Sequence, residues 1–129
     1  MSVYDKIKAH AKRVATDVKA GKASVHSSRA RDFIAEFPDA VLGVIDLVHR
    51  EANRKKPNEA MIYAYLYLFS TGLEEIRYQV DRGHGWAEEL VDAVREQLLL
   101  LAQGGVIEPH LLMLLLNGFI EAKLAPGDD

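Results

Sequence analysis

A chain of 129 residues with 49% apolar and 27% charged side chains is predicted to fold as one soluble globular domain with a core of ordinary size. The absence of cysteine excludes disulfides, thiol nucleophiles and thiolate metal sites, and suits a reducing, cytoplasmic setting. The net charge of −3 conceals an asymmetry: residues 1–31 hold eight Lys and Arg against two Asp, a net +6, and residues 32–129 hold eight against seventeen acids, a net −9.

The first fourteen residues are charged and periodic, with no apolar run leading to a cleavage site, so no secretory signal is expected. From Val3 the apolar positions Val3, Ile7, Ala11, Val14 and Val18 recur at a helical period with lysines on the other side. Ser2 can cap this helix and Gly21 suits its end. The basic segment can attach to nucleic acid or an anionic membrane surface, or lie against the acidic body of its own chain or a partner. After a polar connector, a short helix over about Ser28 to Glu36 is expected to bury Phe33, Ile34 and Phe37 and to stop before Pro38. Asp39 can open a third helix with Val41, Val44, Ile45, Val48 and Ala52 inward and Leu47 on a polar face.

The stretch Met61 to Phe69, MIYAYLYLF, alternates aromatics like a strand. No turn residue interrupts it before Gly72, however, and strands rarely run so long. As a helix capped by Asn58, it groups Met61, Ile62, Tyr65, Leu66, Phe69, Leu73, Ile76 and Val80 on one broad face. Tyr63, Tyr67, Thr71, Glu74 and Tyr78 then share the opposite face, and Gly72 is a point where the helix can bend. A fifth helix is predicted over Trp86 to Ala102, with Trp86, Leu90, Val91, Val94, Leu98 and Leu101 inward and Leu99 on a polar face, ending at Gly104 and Gly105. The last helix opens with Pro109 and runs to about Leu124. Its Leu111, Leu112, Met113, Leu114, Leu115, Leu116, Phe119, Ile120 and Leu124 cover most of the circumference, leaving His110, Asn117 and Glu121 as a narrow polar strip. Such a helix is expected to be buried nearly all round, as the centre of the bundle or in a subunit contact. The apolar run is far short of the roughly 20 residues that span a bilayer.

Chemistry is sparsely signalled. No Glu stands three residues before any His, as di-iron bundles require. His84 and Glu88 have a spacing seen in hemerythrin-like proteins, but the companion histidines are missing. No glycine loop has the spacing of a phosphate cradle, and no G-x-S-x-G elbow is present. No metal and no cofactor are therefore expected. Arg77 and His84 in RYQVDRGH stand with six residues between them, followed by GHGWAEELVDAV. This resembles the Arg-x(4–6)-His element of the all-helical HEPN (higher eukaryote and prokaryote nucleotide-binding) domains. The resemblance covers about fifteen residues, with Tyr78 where a polar residue often follows the Arg. It implies an Arg77 that stabilises phosphate charge and a His84 that moves a proton or holds an oxyanion beside RNA.

These readings give an all-α domain of five to six helices over residues 1–125, in bundle or short helical-repeat arrangement, with a flexible tail at 126–129. The leading expectation is a non-catalytic interaction module that associates with itself. Its interface would be built from Tyr63, Tyr67 and Tyr78 on the long helix and Leu111, Leu115 and Phe119 on the last. The alternatives are a HEPN-like RNA-cleaving or nucleotide-binding protein using Arg77 and His84, and a pocket for a small apolar ligand edged by His110, Asn117 and Glu121.

Overall fold

The computed structural model describes residues 2–20, 27–105, 107–122 and 124. Among them are six helices: α1 (Val3–Lys19), α2 (Ser27–Glu36), α3 (Ala40–Ala52), α4 (Glu59–Asp81), α5 (Gly85–Gly104) and α6 (Pro109–Glu121). The described residues contain no strand, and the helices pack around one core. None of them is long and apolar enough to cross a membrane.

Local chemistry sets most of the boundaries. The Ser2 hydroxyl accepts from the Asp5 backbone N–H at 3.2 Å, satisfying a donor that the first turn of α1 leaves open. The expected end of that helix at Gly21 lies outside the described residues, as does the tail at 126–129. Helix α2 stops two residues before Pro38. At α4 the Asn58 carbonyl oxygen of the side chain accepts from Met61 N–H, and the helix continues unbroken through Gly72. The alternating aromatics are thus helical. Gly105 ends α5 at φ 60°, a left-handed conformation that disfavours a residue with a Cβ. Pro109 occupies the first turn of α6, where Glu108 accepts from both His110 N–H and Leu111 N–H. Asp39 precedes α3 as expected but makes no side-chain cap.

Helix α4 is the central element, packing against all five others. Its inward residues Tyr65, Leu68, Phe69, Leu73 and Ile76 meet Ile7 and Val14 of α1, Ile34 of α2, Val41, Val44, Ile45 and Val48 of α3, and Leu90, Val94 and Leu98 of α5 within one buried cluster. A Cβ placed on Gly72 would lie 3.1 Å from Ile34 Cγ1, so the absence of a side chain lets α2 approach α4 closely. Helix α6 is therefore not the centre of the bundle. It lies at the side, chiefly on α4 and α5, and buries only Leu111, Leu115, Gly118 and Phe119.

Some face assignments change. Leu47, expected on a polar face, is buried, because α3 lies between neighbours on two sides and presents more than one stripe to the core. Trp86 and Val3, expected inside, stand in the first turns of α5 and α1 and are partly open to solvent. Helix α5 instead seats Ala87 in the core.

Candidate functional site

The outward side of α6 is the clearest unpartnered apolar surface. Met113 and Ile120 are 59% and 53% exposed, and Leu114 is also open. Leu112 and Leu116 are half-buried at its margins. At roughly 100° per residue, Met113 and Ile120 line up opposite Leu111, Leu115 and Phe119. The latter three, expected at an interface, are buried in the chain's own core. A helix packed on two neighbours turns one stripe inward, and the surplus leucines fall on the other side.

The tyrosines divide. Tyr63 and Tyr67 flank an open groove between α4 and α6, about 400 Å³ in volume, with Leu66, Ser70, Leu114, Asn117, Gly118 and Glu121. Tyr78 lies eleven residues past Tyr67, about 16 Å further along the helix axis. Its hydroxyl accepts from Arg82 Nη1 at 2.8 Å, and the guanidinium sits 5.3 Å from its ring centroid. It belongs with the end of α4. Asn117 and Glu121 line this groove, which is open rather than the enclosed cavity that the ligand-pocket alternative requires, and His110 is exposed in the first turn of α6.

Arg77 lies on the flank of α4 and pairs with Asp81 at 3.1 Å, one turn onward. His84 precedes α5, where its backbone carbonyl accepts from Ala87 N–H, and its exposed ring stacks on Trp86 with centroids 6.0 Å apart. The helix surface and the turn thus each engage one of the two residues. Among the described residues no group of three or more His, Asp or Glu is placed to hold a metal ion.

A second site was not legible as a unit. Lys8 and Lys12 of α1 face Arg50 of α3 and Arg54 just beyond it across a cleft of about 480 Å³, floored by Leu47, Met61 and Tyr65. Glu51 is buried in its wall, 8% exposed. Both of its carboxylate oxygens accept from Arg54 Nη1 at 3.1 Å, and one accepts from Asn58 N–H at 3.1 Å. Burial, then the Glu51 charge, raises the Tyr65 phenol above its ordinary pKa of 10.0, and Arg54 partly counters the shift. The available signal was the pair of like-charged i, i+4 couples, Lys8 with Lys12 and Arg50 with Arg54, which helices otherwise tend to avoid.

The charge asymmetry therefore resolves in two ways. Arg31 of the basic segment reaches across to Glu75 of α4, donating from Nε at 3.2 Å and Nη2 at 3.1 Å, while Gln79 donates to the other Glu75 oxygen. That part lies against the chain's own acidic body. Lys8 and Lys12 instead line the cleft together with Arg50, Arg54 and the buried Glu51. No protein-family model, curated protein or solved structure matches the chain.

Proposed function

We propose that the chain is a non-catalytic helical interaction module that associates with a second copy of itself through the outward face of α6. The observation that carries this reading is the exposure of Met113, Leu114 and Ile120 along a helix with no Asp, Glu, Lys or Arg between Pro109 and Ile120. Covering a side chain of this size is worth about 1.5–3 kcal/mol. An isologous contact, in which the same patch meets itself across a twofold axis, needs no complementary charge on the partner. An uncharged stripe suits that symmetry. The groove beside it, edged by Tyr63 and Tyr67, offers room for a side chain from the other copy.

The test is sedimentation equilibrium of the wild type and of Met113→Lys/Ile120→Lys. The wild type should sediment as a dimer of the 14.4 kDa chain, with a thermal midpoint that rises with protein concentration, and the variant as a folded monomer whose midpoint does not depend on concentration, since both side chains lie outside the core. A wild type that stays monomeric at high concentration contradicts the proposal. The competing RNA-directed reading predicts RNA cleavage by the purified chain that is lost in His84→Ala.

A further inference from the structure

The cleft between α1 and the end of α3 combines features that a solvated charged face does not need. Its cations come from α1, from α3 and from the turn just beyond α3, rather than from one exposed side of a single helix. Among the described residues Lys8 and Lys12 have no acidic partner, so two like charges one turn apart stand uncompensated. Arg54 is held at Nη1 by Glu51, itself anchored by Asn58 N–H, which leaves Nε and Nη2 without a partner among the described residues. A guanidinium fixed at one edge and open at the other is suited to two-pronged recognition of a phosphate. The floor beneath is apolar or aromatic: Leu47, Met61 and Tyr65 are all buried.

We propose that this cleft binds a small organic phosphate, with the phosphate held by Lys8, Lys12 and Arg54 and the organic body resting on Met61 and Tyr65. The volume of about 480 Å³ lies within the range of small-molecule sites. A dianionic phosphate matches the two uncompensated lysines in charge. Glu51 acts as a positioning residue: its role is to fix Arg54, and its charge is taken up by that contact. Arg50 is occupied by Asp46 at 2.9 Å and contributes only at the rim.

Thermal-shift measurements on the full chain, with nucleoside monophosphates, sugar phosphates and inorganic phosphate as probes, test this directly. At least one organic phosphate should raise the midpoint by about 4 °C or more at saturation, and inorganic phosphate should raise it less, because it leaves the apolar floor empty. Calorimetric titration of that compound into Lys8→Gln/Lys12→Gln should show affinity at least about 10-fold weaker, since two direct charge contacts are lost. Glu51→Gln should weaken it less, and the double lysine variant should keep the wild-type midpoint without ligand. No shift with any probe, equal shifts for inorganic and organic phosphates, or affinity indifferent to the lysine substitutions would each overturn the proposal. So would binding seen only with single-stranded oligonucleotides, which would make the site a nucleic-acid backbone contact.

Discussion

At the scale of single residues, the most informative side chain is Glu51. It is buried at the junction of α3 and α4, where it accepts from Arg54 and from the backbone N–H of Asn58, the residue that caps α4. It therefore ties a helix end, a cap and a cleft together. Glu51→Ala leaves the Asn58 N–H without its acceptor and is expected to cost about 1–3 kcal/mol in urea denaturation. Glu51→Gln retains one acceptor oxygen and should cost less. Tyr65 gives a pH signature. Because its folded pKa is raised above the ordinary 10.0, the native phenol keeps its proton over a window in which the unfolded one loses it. Its contribution is complete below that ordinary value and is lost as pH rises toward the folded one. Wild-type stability relative to Tyr65→Phe should thus be flat below about pH 10 and fall above it, as measured by denaturant midpoints across alkaline pH. A flat difference throughout would contradict the placement of the hydroxyl.

At the scale of elements, caps and breakers were readable one by one. Ser2, Asn58, Pro109 and Gly105 act locally, so their meaning survives without knowledge of the fold. Relations between elements were less readable. The leucine count of α6 marked it for the centre or for a subunit contact, but α4 holds the centre because both of its sides carry residues that can be buried, Thr71 and Glu75 among them. Glu75 is admitted by Arg31 and Gln79, 44 residues before it and one turn after it. No local pattern could announce the first of these. The close approach of α2 and α4 rests likewise on Gly72. Gly72→Leu should cost about 1–3 kcal/mol through overpacking against Ile34. Gly43→Ala should be nearly neutral, because its Cβ is crowded only by the terminal Cδ1 of Ile7, at 2.8 Å, with the Tyr4 ring at ordinary contact distance, and helix propensity gains about 1 kcal/mol. Chemical denaturation of the two variants separates these outcomes.

At the scale of the whole molecule, two surfaces of opposite character have been set apart. The uncharged outward stripe of α6 and the cationic cleft of α1 and α3 lie on different helices and share no lining residue. The sequence supported the existence of an apolar excess on α6 but placed the α6 half of the interface, beside Tyr63, Tyr67 and Tyr78 of α4, on Leu111, Leu115 and Phe119, the stripe that the chain's own core takes up. Periodicity tells which residues share a face; it does not tell which of two apolar faces a small bundle will use. Charging Leu115 would therefore unfold the domain, whether or not a second copy binds it. Alteration of the outward stripe is what would separate the proposed assembly from folding.

The absence of cysteine from the sequence makes the decisive measurement clean: the rate at which a single engineered thiol is labelled as protein concentration rises. If a second copy covers α6, the thiol of Ile120→Cys should become progressively protected with concentration. The thiol of Lys55→Cys, in the exposed turn between α3 and α4, should react at a constant rate. An Ile120→Cys thiol that labels at the same rate at every concentration would contradict the account.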